Sequence, residues 1–153
     1  MALSVGDVAP DFTLAGDRGE VGLAAHRGHP VVVYFYPKDD TSGCTKEAIS
    51  FTELLPEFAK RGVAVIGISP DGVEAHRKFR AKHALGVDLA ADPDKSVLEA
   101  WGVWVEKTLY GRKYMGVERA TFLVDAEGKI ARIWRKVKVA GHAQAVLEAV
   151  PAA

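Results

Sequence analysis

The stretch that decides the fold runs from Val31 to Glu47 and reads VVVYFYPKDDTSGCTKE. It opens with an unbroken apolar run, which predicts a strand buried on both faces. After Cys44 the apolar residues recur at steps of four, three, four and three, the spacing of one helix face. These residues are Ala48, Phe51, Leu55 and Phe58. The stretch therefore predicts a strand, a loop and a helix, with Cys44 turned inward at the start of the helix.

Its position makes Cys44 a candidate nucleophile. The first turn of a helix carries free N–H groups and about half a positive charge, and both favour a thiolate over a thiol. Reactive thiols occur in such positions. The alternative is that Cys44 is a small buried hydrophobic side chain, as free cysteines commonly are.

A short motif surrounds this cysteine. Pro37, Thr41 and Cys44 have the spacing Pro-x-x-x-Thr-x-x-Cys, and the flanking residues 35–39 and 45–48 fit the same pattern. On these residues the chain resembles the peroxiredoxins. Within that family it is similar to the Q-type branch, also called bacterioferritin comigratory protein.

The resemblance extends from about Val5 to the last predicted helix, and segments 102–104 and 119–125 also fit the Q-type branch. It implies an α/β, thioredoxin-like fold, with a central mixed sheet flanked by helices on both faces. It also implies a thiol-dependent peroxidase that reduces hydrogen peroxide and organic hydroperoxides through a sulfenic acid on its cysteine.

The same resemblance implies roles for individual residues. Cys44 would attack the peroxide, while Thr41 supplies a hydroxyl and Arg119 a fixed cation. Pro37 would shield the sulfur from water. The implied supporting residues are Glu47, which would pair with the arginine, and Gly43.

Two of these residues have ordinary alternatives. Arg119 precedes an apolar strand, and a charge there is usually solvated at the strand end. Glu47 lies one helical turn after Cys44, where a solvated helix glutamate is equally reasonable.

The rest of the chain alternates strands and helices, which predicts an α/β architecture. Predicted strands are 12–14, 63–68, 87–90, 120–124 and 129–134, and predicted helices are about 42–61, 71–84, 94–101 and 142–149. The last two strands form a hairpin around residues 125–128, so the sheet is expected to be mixed. Pro56 predicts a kink in the first long helix. Between residues 103 and 118 the apolar pattern is weak, and only turns at Gly111 and Gly116 are expected.

Composition excludes several classes of protein. The 153 residues are most simply one domain, 1–153, and 48% of them are hydrophobic, which argues against disorder. Twenty basic and twenty acidic residues balance, so neither a nucleic acid nor an anionic membrane is an expected partner. Without a signal-peptide pattern we expect a cytoplasmic protein. The histidines lack a metal-ligand pattern, so we expect them at the surface, with no metal and no cofactor. They are His26, His29, His76, His83 and His142.

The cysteine count limits the chemistry. With one cysteine, the chain cannot form an intramolecular disulfide. Q-type relatives carry a resolving cysteine at the position of Ile49 or of Arg80, and this chain has neither. The resemblance implies a monomer. Because both resolving positions lack a cysteine, our hypothesis is a one-cysteine cycle, in which an external thiol such as thioredoxin, glutaredoxin or glutathione reduces the sulfenic acid. A non-catalytic redox sensor or binding module, forming mixed disulfides through Cys44, is the alternative.

Overall fold

A computed structural model of the protein describes residues 3–151. Its centre is strand β3 (Val31–Phe35), in which all five side chains are buried. Strand β4 (Ala64–Ser69) pairs with β3 in parallel on one side, and β8 (Ala120–Val124) pairs with it in antiparallel fashion on the other. The outer strands are β1 (Thr13–Gly16), β2 (Val21–Gly22), β5 (Asp88–Ala91) and β9 (Ile130–Trp134). The seven strands have the order β2-β1-β5-β4-β3-β8-β9, and the expected mixed sheet is confirmed.

The sheet is covered on both faces because successive residues of β3 point in opposite directions. Val31, Val33 and Phe35 enter one apolar cluster, and Val32 and Tyr34 enter the other. The first cluster receives helix α3 (Ser96–Ala100) and the Trp101 that follows it. The second receives the other three helices, α1 (Ser42–Lys60), α2 (Val73–His83) and α4 (His142–Ala149).

The predicted helices and strands all occur, with boundaries that differ by at most two residues, and Pro56 lies inside α1. Three strands were missed: β2, which has only two residues, and the two strands of a hairpin. Residues 103–118, where we expected only turns, contain a separate two-stranded hairpin of β6 (Trp104–Leu109) and β7 (Arg112–Val117). Most of its side chains are partly or fully exposed, so neither strand alternates between a buried apolar and a polar face.

The topology explains why two distant segments of the chain meet. Helix α1 follows the carboxyl end of β3 after a short loop. Strand β8 runs in the opposite direction, and its first residue, Ala120, pairs with Phe35 at the end of β3. Arg119, which immediately precedes β8, therefore lies at the same edge of the sheet as the start of α1.

Candidate active site

Cys44 lies in the first turn of α1 and is only 1% exposed. It is the third residue of the helix, so its backbone N–H has no acceptor within the helix. Thr41, the residue that caps the helix, offers no side-chain hydrogen bond to the first turn. The sulfur thus lies beside unsatisfied donors in a nearly closed environment.

Arg119 joins this sulfur to a buried carboxylate. Its Nη2 donates to Cys44 Sγ at 3.3 Å, and its Nη1 donates to Glu47 Oε1 at 2.6 Å. The side chain of Arg119 is 17% exposed, so it is not a solvated strand-end charge. A guanidinium can make both contacts at once because its N–H donors are fixed in one plane. Its positive charge, held next to the sulfur, favours an anionic sulfur.

The two members of the Arg119–Glu47 pair respond differently to burial. The side chain of Glu47 is only 1% exposed, and burial raises its pKa to about 7 against the lowering effect of Arg119. Burial also opposes the charged form of Arg119, but the charges of Glu47 and Cys44 outweigh it and raise the pKa of Arg119. Glu47 Oε2 is buried and has no hydrogen-bond partner in the described part of the chain. Glu47 is therefore not a solvated helix residue, and its proton occupancy changes near neutral pH.

Gly43 leaves room for the guanidinium. A Cβ placed on Gly43 would lie 3.3 Å from Arg119 Nη2, closer than most such contacts in proteins. Only glycine therefore lets Arg119 lie against the first turn of α1 without displacement. The family resemblance implies that Gly43 is a supporting residue, and its contact with Arg119 gives a steric reason for that role.

Thr41 and Pro37 lie in the loop between β3 and α1. The Thr41 hydroxyl donates to the Lys38 carbonyl at 2.8 Å, so its proton is engaged within the loop while its oxygen can still accept. Pro37 is partly buried at the beginning of the loop. All six residues expected at the site thus belong to two segments, 37–47 and the start of β8.

Two surface cavities are lined in part by residues of the site. One, of about 380 Å³, includes Arg119 and Val137 in its lining. The other, of about 500 Å³, includes Gly43, Ile49 and Val139. Each cavity therefore reaches one member of the Arg119–Gly43 contact, and neither is lined by Cys44 itself.

The expectation that the histidines lie at the surface was wrong for two of them. His76 is fully buried and His142 is 7% exposed. His142 Nε2 lies 2.8 Å from the hydroxyl of Thr121, two residues after Arg119. Burial, helped by the positive charge of Arg119, lowers the pKa of His142 to about 4, so its ring is neutral near the guanidinium. The apolar residues around Thr121 already predict a strand, but nothing in the sequence pairs Thr121 with His142.

The two positions expected to hold a resolving cysteine, Arg80 and Ile49, make structural contacts in this chain. Arg80 binds both carboxylate oxygens of Asp17, at 2.5 and 2.9 Å, and donates to the Leu85 carbonyl at 2.7 Å. The Asp17 side chain is 3% exposed, so this is a buried ion pair that joins α2 to the turn after β1. Ile49 contributes apolar surface to the cavity beside Gly43.

Sequence comparison gives the family. Residues 5–133 match the model of the AhpC/TSA family. The chain belongs to the AhpC/TSA family. A putative peroxiredoxin Bcp of Coxiella burnetii is 49% identical to this peroxiredoxin, over 96% of this chain and 98% of the relative. Peroxiredoxin Bcp of Bacillus subtilis is 46% identical, over 97% and 95% of the two chains.

Solved structures agree with the assignment. Peroxiredoxin Q of Xanthomonas campestris superposes on this peroxiredoxin with a TM-score of 0.89, at 46% identity and with 97% and 94% of the two chains covered. A structure described as bacterioferritin comigratory protein of the same organism, studied for its alkyl peroxide reduction activity, has a TM-score of 0.89 at 45% identity, covering 97% and 95%. The expected thioredoxin-like fold and Q-type branch are confirmed, and the protein is a thiol-dependent peroxidase.

Membrane-spanning helices and metal-binding clusters are both absent from residues 3–151. Within residues 3–151, no helix has the length and apolar character needed to cross a bilayer. The same residues contain no cluster of three His, Cys, Asp or Glu side chains that could hold a metal ion.

Proposed function

We propose that Cys44 reduces hydrogen peroxide and organic hydroperoxides in a one-cysteine cycle. The Cys44 thiolate attacks the terminal oxygen of the hydroperoxide, forming an S–O bond while the O–O bond breaks. The sulfur is oxidised to a sulfenic acid, and the departing oxygen leaves as an alkoxide or hydroxide that takes up a proton. The observation that carries the proposal is the Arg119 guanidinium, which contacts both Cys44 Sγ and the buried Glu47.

Each site residue has a role in this step. Arg119 and the Cys44 backbone N–H stabilise the negative charge that develops on the oxygens, as preorganised donors do in other enzymes. The Thr41 oxygen, whose own proton is bound to Lys38, accepts the hydrogen of the attacking peroxide oxygen and so orients it. Pro37 limits access of water to the sulfur. Glu47 and Gly43 fix the guanidinium, Glu47 by a hydrogen bond and Gly43 by leaving space.

An external thiol completes the cycle. Because the chain has one cysteine, the sulfenic acid condenses with a thiol of another molecule to give a mixed disulfide and water. A second thiol then attacks the mixed disulfide, which releases the Cys44 thiolate and a disulfide of the reductant. Thioredoxin, glutaredoxin and glutathione all supply such thiols. A reducing cytosol, where these thiols are abundant, is the compartment that fits the cycle, with the protein working as a monomer.

Organic hydroperoxides are the favoured substrates in this proposal. The Xanthomonas campestris relative was studied for alkyl peroxide reduction. In this chain the cavity beside Gly43 offers Ile49, Val139 and Ala140 to the alkyl part of a substrate.

Stopped-flow measurement tests the proposal. Cys44 oxidation by hydrogen peroxide and by cumene hydroperoxide should be much faster than oxidation of free cysteine, and Cys44→Ser should show no reaction. A rate equal to that of free cysteine would favour the redox sensor or binding module instead.

Intact-mass analysis tests the second half of the cycle. One equivalent of peroxide followed by glutathione should add one glutathione per chain, which excess thiol removes. If no mixed disulfide forms with glutathione, glutaredoxin or thioredoxin, the proposed resolution step is wrong.

A further inference from the structure

A second buried polar cluster lies behind the loop that leads to Cys44. Its centre is Asp39, whose side chain is 6% exposed, and His76 of α2, whose side chain is not exposed at all. His76 Nδ1 lies 2.6 Å from Asp39 Oδ2, and the Tyr36 hydroxyl donates to Asp39 Oδ1 at 2.6 Å. None of these three residues belongs to the proposed chemistry.

The hydrogen bonds define the protonation of the cluster. His76 Nε2 lies 3.0 Å from the carbonyl of Ala90, which can only accept, so Nε2 carries a proton. One further proton lies between Nδ1 and the carboxylate. Burial alone would lower the pKa of His76, but the hydrogen bond and charge of Asp39 outweigh it and raise that pKa above its usual value. The cluster is thus a buried histidine–carboxyl pair that shares one proton and has its hydrogen bonds satisfied.

The pair holds the loop that carries the site. Asp39 comes two residues before Thr41, and it is the one buried residue between Pro37 and Thr41. Its backbone N–H also donates to Asp71 Oδ2 at 2.8 Å, and Asp71 lies just beyond β4. The side chain of Asp39 therefore fixes the loop to α2, and through His76 to Ala90 of β5, while its backbone fixes the loop to the residues after β4.

The neighbouring residue shows that the loop needs such an anchor. Asp40 has φ +60°, in the left-handed region that costs free energy for residues other than glycine. Its exposed carboxylate contacts Lys82 Nζ and His83 Nε2, both at 2.8 Å, and exposed ion pairs contribute little. The buried contacts of Asp39 are what maintain this conformation, with Thr41 immediately after it.

We propose that Asp39 and His76 are positioning residues for peroxide reduction: they hold the loop so that Thr41 and Pro37 lie in register with Cys44 Sγ. The inference rests on the proposed function. It assigns a role to a buried pair more than thirty residues apart in the chain.

A double variant separates positioning from stability. Asp39→Ala with His76→Leu removes both charges together, so no unpaired charge stays buried and the protein should remain folded. Its rate constant for oxidation by hydrogen peroxide should fall by about ten- to a hundredfold, as for a misplacement of about 1 Å. Alkylation of Cys44 by iodoacetamide, which needs a thiolate but no aligned Thr41, should change by no more than about twofold. Asp39→Ser is a milder second variant for which the same fall in the ratio of the two rates is expected.

A conservative variant should restore the rate. In Asp39→Asn the amide nitrogen can donate to a neutral His76 Nδ1 while its oxygen accepts from Tyr36, so the loop is held without charge. Its peroxide rate should stay close to that of the wild type. The matched control is Asp40→Asn, which neutralises the adjacent exposed carboxylate and should leave both rates unchanged.

The outcomes distinguish the two proposals. A folded double variant with a wild-type peroxide rate, or one in which both rates fall in proportion, contradicts the positioning role alone. A slow Asp39→Asn protein also contradicts it. If the wild type itself reacts no faster than free cysteine, the proposed function is wrong.

Discussion

Replacing Arg119 by alanine is the sharpest test of the site. The guanidinium lies 3.3 Å from Cys44 Sγ, where two full charges at an effective dielectric constant of 20 interact by roughly 5 kcal/mol. This is an upper value, because the side chain retains 17% exposure and the charge of the transition state is shared between atoms. Loss of one preorganised donor elsewhere costs about 3–4 kcal/mol. We therefore expect the peroxide rate constant of Arg119→Ala to fall by about 10² to 10³.

The variant should remain folded despite the buried carboxylate that it leaves behind. Burial already raises the pKa of Glu47 to about 7, so loss of the neighbouring cation lets Glu47 bind a proton at neutral pH. Thermal unfolding followed by circular dichroism would verify this. The peroxide rate constant of Arg119→Lys should lie between those of Arg119→Ala and the wild type, since an ammonium retains the charge but lacks the planar pair of donors.

The assay is stopped-flow oxidation of Cys44 under pseudo-first-order peroxide. Arg132→Ala is the matched control, because Arg132 is an exposed arginine of β9 that stacks on Trp134 and should leave the rate unchanged. A folded Arg119→Ala protein within about threefold of the wild-type rate would refute the assigned electrostatic role.

Two further predictions concern the neighbours of Arg119. The folded pKa of Glu47 is raised, so its stabilising contribution is fully present below pH 4.5 and is lost as the pH rises through about 7. Between pH 4.5 and 8, the free energy of unfolding of Glu47→Gln, measured by urea titration, should therefore rise relative to that of the wild type by on the order of 3 kcal/mol. The exposed control Glu57→Gln should show no such trend. A difference between Glu47→Gln and the wild type that does not change with pH would contradict the assignment. Gly43→Ala should lower the peroxide rate constant by about tenfold, because the added Cβ displaces the guanidinium by a few tenths of an ångström. Gly72 lies at the start of α2 with open space around it, so Gly72→Ala should leave the peroxide rate constant unchanged. Equal rate constants for the two alanine variants would disprove the steric argument.

Much of the fold can be predicted from local patterns in the sequence. The run 31–36 and the helical stripe after Cys44 are strong patterns because both elements bury apolar faces in a core, and they appear within one residue of the expected limits. The hairpin of β6 and β7 was missed for the opposite reason. It forms its own two-stranded sheet and buries few of its side chains, so its sequence has no alternating apolar face to recognise.

The site divides in a similar way. The Pro-x-x-x-Thr-x-x-Cys motif identifies residues that are adjacent in sequence. Its long-range partners are less accessible to sequence reasoning, since Arg119 was expected only through the family resemblance. His76 was treated as a surface residue. The residues around His76 do not show that α2 turns this ring toward Asp39, because a hydrogen bond between distant residues produces no periodic pattern in the sequence.

The sequence by itself predicted the order of the buried strands and of the helices, identified Cys44 as the candidate nucleophile, and excluded an internal disulfide because the chain has one cysteine. These depend on local apolar spacing and on residue counts, which are properties of the chain before it folds. Only the tertiary structure decided that Arg119 contacts Cys44, that Glu47 is buried beside it, and that His76 holds Asp39. Those facts follow from the antiparallel pairing of β8 with β3 and from the packing of α2 on the sheet, which place groups far apart in sequence in one low-dielectric region.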